Sequence, residues 1–357
     1  MGSATFRFGE EEVALGERRD LRLQVSETYS GGAVELPVHV WRGTHPGPAL
    51  FVTAAVHGDE LNGIGIVRRL ILDPPFHLEA GTLVLVPVVN LLGYERHSRY
   101  LPDRRDLNRS FPGTESGSLA RRFAHRFFTH VVQRCDFGID LHTAAVRRVN
   151  FPSVRGDLNV PGVRRIAEAF GSELVIDSTG PKGSLRRTAT AEDCPTISLE
   201  AGEVFKIEST VTEVGVRGVT NVLIELGMVR GCRLIRPRYQ TQVENTKWLR
   251  ADFGGLLQFH VAPGDIVEEG QALATNTNLL GLRQNQLESP ADGVVLGMTT
   301  LPAVTPGDPI CHLAIPRGGI RRIRETLSQG DLTEKLKEDL STNLDIVPKV
   351  EARGEPT

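Results

Sequence analysis

The sequence predicts an α/β protein with a mostly parallel sheet between layers of helices, followed by a small all-β unit. Three observations carry this. Nearly continuous apolar runs such as ALFVTAAV (49–56) and TLVLVPVVN (82–90) suit strands buried on both faces. These runs alternate with segments of helical periodicity, the pattern of strand-helix-strand units. After about residue 232 the texture changes to short alternating strands punctuated by glycines, as in small all-β folds.

The elements follow in order. VELPVHVW (34–41) reads as a strand, as does 49–56. Between Asn62 and Leu72 the residues Ile64, Ile66, Val67, Leu70 and Ile71 fall near helical spacing, and Pro74 and Pro75 stop that helix. The strand 82–90 leads into a polar, Arg-rich stretch, 91–117, broken by Pro102 and Pro112 and read as a long loop. A helix is predicted over 118–134, a short strand over 136–142, and a helix over 159–171 that ends at Gly171. TISLEAG (196–202) is a strand, and 207–228 is helix-like although rich in β-branched residues. At roughly 150 residues per domain the chain suggests about two domains. The expected division is 1–232, a β unit over 233–316, and a charged, partly flexible tail over 317–357.

Composition excludes several classes of function. Forty-one Lys+Arg against 44 Asp+Glu leave a formal charge of -3 over 357 residues. That is the wrong balance for a nucleic-acid reader working by counterion release. No apolar run approaches 18 residues, so neither a transmembrane helix nor a membrane partner is expected. The first two dozen residues lack a basic-then-apolar leader pattern. Cysteines 135, 194, 232 and 311 form no CxxC, so neither a disulfide framework nor a Cys-based zinc site is expected. The reading is a soluble cytoplasmic protein.

Four short motifs carry chemistry. His57 and Glu60 follow a buried strand, where ligands of α/β sheets bind. An imidazole and a carboxylate three residues apart in a tight turn can converge on one metal ion. Alone, HxxE is a weak signal that a solvated helix N-terminus with a first-turn acid explains better. Asp140-Leu141-His142-Thr143 ends a second strand, so His142 can supply a third ligand and favours the metal reading. The loop through Arg99, Arg104, Arg105, Asp106, Asn108 and Arg109 concentrates cations over the same edge. It is either a solvated basic loop or a clamp, since a guanidinium fork holds a carboxylate bidentately. Glu200, at the end of a third strand, can act as general base towards water, with Glu203 the next candidate.

Taken in order, HGDE (57–60), DLNRSFPG (106–113), DLHT (140–143) and LEAG (199–202) resemble the aspartoacylase/succinylglutamate desuccinylase family, a branch of the zinc carboxypeptidase-like hydrolases. The resemblance spans roughly residues 34–230. It implies a mixed eight-stranded sheet between helices, and His57, Glu60 and His142 as ligands of one Zn²⁺ per chain. Glu200 matches the acid/base and Arg99 the arginine that polarises the scissile carbonyl. Asn108 and Arg109 match the pair that holds the substrate's α-carboxylate. Asp106 looks like the carboxylate that orients a metal-bound histidine. The implied partner is a small N-acyl amino acid, hydrolysed at its amide. Arg186 and Arg187 lie where acyl-group contacts are expected. An inward arginine there suits a dicarboxylate acyl group, and two outward ones suit an acetyl or neutral group.

Two further segments, GDIVEEGQ (264–271) and SPADGVV (289–295), look like the halves of a biotinyl/lipoyl-type barrel-sandwich domain. Carrier domains of that type attach their group to a lysine, and this chain has none between Lys247 and Lys335. A swinging arm is therefore excluded, which leaves a lid or subunit-contact role, and a homo-oligomer stays open. Two rival readings use the same site: a metallocarboxypeptidase or peptide amidase, and a non-catalytic metal-binding regulatory protein.

Overall fold

The computed structural model describes residues 5–9, 11–28, 30–230, 236–326, 331–342, 344 and 346. The expected division at 232, Cys232, and the end of the tail from 347 lie outside these residues.

The strand His45–Ala54 shows why a continuous apolar run forms the centre of this sheet. Leu50, Val52 and Ala54 enter one hydrophobic core while Ala49 and Phe51 enter the other. Alternate side chains of a strand point to opposite faces, so both faces must be covered. Helices Asn62–Leu72, Pro161–Phe170 and Ser209–Glu225 build the first core, and helices Leu119–His130 and Leu185–Ala191 build the second. The β-branched helix Ser209–Glu225 is held by close packing. A Cβ on Gly215 would overlap Ile66, and one on Gly218 would overlap Phe170.

Among the described residues the main sheet has twelve strands. Eight come from residues 18–203, in the order Arg18–Glu27, Ala33–Arg42, Ala80–Val86, His45–Ala54, Phe137–His142, Thr196–Glu203, Arg148–Gly156, Leu174–Asp177. Four more extend it: Thr241–Arg250, Pro309–Pro316, Gly293–Thr299 and Ile266–Val267. Eight strands were expected and eight come from residues 18–203, but the C-terminal strands, expected as a separate unit, extend the sheet to twelve. The sheet is mixed, as expected, with parallel pairing concentrated at its middle, and Thr241–Arg250 joins the C-terminal strands to it through parallel pairing with Leu174–Asp177. A second, antiparallel sheet orders Arg283–Glu288, Ala272–Thr277, Gly255–Phe259 and Ala303–Val304.

The predicted helices and strands fall within a few residues of those observed. The pattern missed the N-terminal strand Arg18–Glu27, the hairpin Thr5–Phe8 with Glu11–Ala14, the inner strands Arg148–Gly156 and Leu174–Asp177, and helix Leu185–Ala191. Helix Pro161–Phe170 ends as expected, with Gly171 left-handed at φ 80. Cys135, Cys194 and Cys311 are buried free thiols. Among the described residues no helix is long and apolar enough to cross a membrane.

Candidate metal centre and active site

His45–Ala54, Phe137–His142 and Thr196–Glu203 run parallel side by side, so their carboxyl ends open onto one edge. The register sets Glu200 beside His142. Past the first of these strands the backbone turns sharply, with Ala55 in the left-handed region at φ 50, a strained placement that clusters at functional sites. Gly58 lies so close to the short helix Leu91–Tyr94 that a Cβ would overlap the backbone of Gly93 and Tyr94. This turn delivers His57 and Glu60 to the open edge.

His57, Glu60 and His142 meet there, all buried, with one candidate ligand atom from each within 4.8 Å of the others. Both imidazoles present Nδ1 to the one carboxylate. His57 Nδ1 lies 2.7 Å from Glu60 Oε1, and His142 Nδ1 lies 2.8 Å from Oε2. The opposite nitrogens each meet an aspartate. His57 Nε2 is 3.2 Å from Asp106 Oδ1, and His142 Nε2 is 2.7 Å from Asp140 Oδ2. Metal-bound histidines are commonly oriented in this way, by a carboxylate on the nitrogen that does not ligate.

The electrostatics agree with a cation site. Burial alone would raise the Glu60 carboxyl, but the two imidazoles outweigh it and hold that carboxyl well below the usual range. Burial would lower both imidazoles, yet Asp140 and Glu60 push His142 well above its ordinary value, and Glu60 and Asp106 raise His57. A pocket that binds protons this firmly concentrates negative potential at one point, which a divalent ion would equally occupy.

Arg99 reaches over this cluster. Its Nη1 donates to Glu60 Oε1 and its Nη2 to Asp106 Oδ2, each at 3.3 Å. Asn90 holds the loop by donating to the Arg99 carbonyl. Asn108 and Arg109 line the same cavity of about 310 Å³. The Asn108 side-chain carbonyl accepts from Leu185 N at 2.8 Å, which ties the clamp loop to helix Leu185–Ala191. Glu200 also lines the cavity, with Asn150 Nδ2 at 3.5 Å from its Oε2. Glu203 is engaged elsewhere, by Lys206 and by Thr300 Oγ1.

The two arginines expected at the acyl end part company. Arg186 is buried in the cavity wall and donates to the Ser178 carbonyl. Arg187 is exposed, donates to Gly180 O at 3.1 Å and does not line the cavity. Consecutive helical residues point about 100° apart, so only one of the pair can face inward, and the expectation is corrected to Arg186. His97 is exposed and outside the cavity.

Sequence reasoning quoted Asp140 without giving it a role. The signal was available, because residues i and i+2 of a strand share a face and DLH therefore presents its Asp and His together. It also missed Arg148, Arg155, Trp248 and His312, which line the cavity. Trp248 and His312 lie far along the chain from the metal cluster, and no local spacing connects them to it.

Comparisons with known proteins identify the family and the fold. The family described as succinylglutamate desuccinylase/aspartoacylase catalytic domain matches residues 46–226, just over half of the chain. The N-alpha-acetyl-L-2,4-diaminobutyric acid deacetylase of Halomonas elongata is 28% identical over 336 residues, covering 87% of this chain and 94% of its own. A crystal structure of a succinylglutamate desuccinylase/aspartoacylase from Rhodobacter sphaeroides aligns with a TM-score of 0.70 and 25% identity, over 84% of this chain and 96% of that one. The product-bound ectoine utilization protein EutE (DoeB) of Ruegeria pomeroyi shares the fold, with a TM-score of 0.71, 22% identity, and coverage of 83% and 95%. With strand ends, buried cluster and matched region in agreement, the chain belongs to the succinylglutamate desuccinylase/aspartoacylase family.

Proposed function

We propose that this protein is a zinc-dependent deacylase that hydrolyses the amide bond of a small N-acyl amino acid. The observation that carries the reading is the buried His57, Glu60 and His142 cluster at the floor of a cavity that also holds Glu200 and Arg99. Two imidazoles and one carboxylate are the donor set of many hydrolytic zinc sites, so the residues fit the ion, one per chain. When bound, Zn²⁺ lowers the pKa of water towards about 7 and polarises a carbonyl oxygen.

The chain's own residues do the rest. Glu200 takes the proton of the attacking water and returns it to the leaving amine. Arg99 lies over the cluster, where it can stabilise the oxyanion of the tetrahedral intermediate. Asn108 and Arg109 hold the α-carboxylate and so fix the amide over the cluster. Asp106, bonded to both His57 and Arg99, orients ligand and oxyanion donor together. Arg186 faces the acyl or side-chain end.

The family and the named activity of the Halomonas relative support amide hydrolysis. A cavity of about 310 Å³ sits at the small end of ligand pockets and favours an N-acyl amino acid over a longer peptide. In this reading residues 1–232 are the hydrolase unit, 233–316 a barrel-sandwich-like β unit that walls the cavity, and 317–357 a tail. The substrate is a cytoplasmic small molecule, and neither nucleic acid nor membrane takes part. Elemental analysis followed by a panel of N-acyl amino acids and short peptides tests it. One zinc per chain with turnover of an N-acyl amino acid is expected, while turnover of peptides alone would move the activity to a carboxypeptidase. Metal binding with no turnover of any compound would leave a regulatory protein.

A further inference from the structure

The main sheet ends in a free border on the side away from the C-terminal strands. Strand Arg18–Glu27 is the last one there and, among the described residues, pairs only with Ala33–Arg42. The hairpin of Thr5–Phe8 and Glu11–Ala14 is fastened near the start of this strand, where Arg19 lies 2.8 Å from Glu11 and donates to the Glu12 carbonyl at 3.0 Å. The later part is not fastened in this way. Beside Gln24 to Thr28 runs a groove of about 910 Å³ whose other wall is helix Leu119–His130. An edge of unpaired amides and carbonyls is a template for a further strand, and charged side chains are one guard against it. Here Arg18, Asp20 and Arg22 stand in the first half of the strand, while Gln24, Val25 and Ser26 beside the groove are uncharged. The guard in the second half is a bulge, with Val25 the extra residue between the pairs Gln24–Glu35 and Ser26–Val34.

The helix packs on the same face of the strand, with Phe123 and Phe127 in one core with Leu21 and Leu23. On its groove side Arg122, Arg126 and His130 recur at four-residue steps, which sets them on one helix face. At ~1.5 Å of rise per residue each step advances ~6 Å, close to the ~6.8 Å between same-face side chains of an extended strand. Arg122 and Arg126 are exposed and form no hydrogen bond or ion pair among the described residues. Two carboxylates line the groove: Glu115 lies 3.8 Å from His125 Nε2, and Glu27 ends the strand. Burial, with Arg126, Arg134 and His125, holds the His130 imidazole below its ordinary value, as unbalanced positive charge does.

We propose that this border docks an extended acidic segment of a partner protein, added as a further strand beside Gln24–Thr28, with a carboxylate at every second position meeting Arg122, Arg126 and His130. In strand addition of this kind main-chain hydrogen bonds supply affinity and alternate side chains supply selectivity. A nucleic acid would meet the cations but has no backbone amides to pair with the carbonyls of the strand. A second copy joined by the same strand would set its own Arg122 and Arg126 against the first pair, a like-charge contact that disfavours it. None of the groove residues lines the metal-site cavity, so the proposal is independent of what that cavity hydrolyses.

The test titrates the full chain into a short fluorescein-labelled peptide of alternating Glu and Val and follows its anisotropy. Saturable binding is expected, weakening as salt is raised, with none for the matching Lys-Val peptide. Two further Glu-Val peptides carry N-methyl groups on alternate amides, one in each phase. Successive residues of a strand turn their donors to opposite edges, so one phase should abolish binding and the other should spare it. The double variant Arg122→Glu, Arg126→Glu should bind roughly tenfold or more weakly. Its thermal midpoint should stay that of wild type, because both side chains are exposed. No binding of the Glu-Val peptide, or equal binding of the Lys-Val peptide, overturns the proposal. Indifference to both methylation phases also overturns it, by reducing the groove to a diffuse patch of charge. A dimer in sedimentation that the double variant disperses would hand the border to a second copy and equally reject it.

Discussion

Asp140 and His142 stand two residues apart on one buried strand, and the Asp140 carboxylate lies 2.7 Å from Nε2 of the imidazole whose Nδ1 faces Glu60. Asp140 Oδ1 is held in turn by Thr53 Oγ1 at 2.9 Å, from the neighbouring strand. The ring is thus fixed from behind by a chain that starts in the sheet itself. Replacing Asp140 with Asn keeps the shape but removes the charge. The expected outcome is a roughly 10–100-fold loss of zinc affinity, read by competition with a chelating dye. Unchanged affinity would show that the strand backbone alone orients His142.

Glu200 and Glu203 share a strand but not an environment. Glu200 lines the cavity, whereas Glu203 is bound by Lys206 and Thr300. Glu200→Gln should keep its zinc and lose on the order of 10²–10⁴ in kcat, while Glu203→Gln should change kcat little. Steady-state kinetics beside metal analysis of both proteins decides which carboxylate moves the proton.

Arg99 bridges Glu60 and Asp106. If its task is to meet the oxyanion, Arg99→Met lowers kcat by on the order of 10²–10³ with little change in bound zinc. If its task were only to tie Glu60 to Asp106, the same variant would lose metal instead. Kinetics and metal content measured on one preparation separate the two.

The His312 imidazole gives a pH signature. Its value falls from an ordinary 6.5 to about 3 in the folded protein. Below about pH 6.5 the unfolded chain takes up a proton that the folded chain refuses. The stabilisation is therefore complete above that pH and is lost progressively as pH falls towards about 3. Denaturant midpoints should show wild type losing more stability than His312→Gln between pH 7 and 4, by on the order of 1–3 kcal/mol. Parallel curves for the two proteins would contradict a neutral buried ring.

The strand ends that carry His57, His142 and Glu200 were legible because an apolar run followed at once by a ligand-type residue is a local pattern. Their convergence needed only the rule that parallel strands open onto one edge. Strand Arg148–Gly156 was hidden by its own composition, since Pro152 and two arginines do not read as sheet interior. Its pairing with Thr196–Glu203 shifts register between Glu200 and Gly202, opposite Pro152, and such a bulge needs no ladder N–H from proline. The choice between Arg186 and Arg187 needed the phase of a helix whose start the pattern did not show. Trp248 and His312 became visible only through pairing across a sheet that no single stretch of sequence describes.

The parallel pairing of Thr241–Arg250 with Leu174–Asp177 makes the C-terminal strands a continuation of the sheet. A gene cut after residue 230 would bare a row of unpaired amides and carbonyls along that border, an invitation to aggregate. Drift within 241–316 can reshape the wall that Trp248 and His312 give the cavity, while the buried cluster of His57, Glu60 and His142 stays as it is.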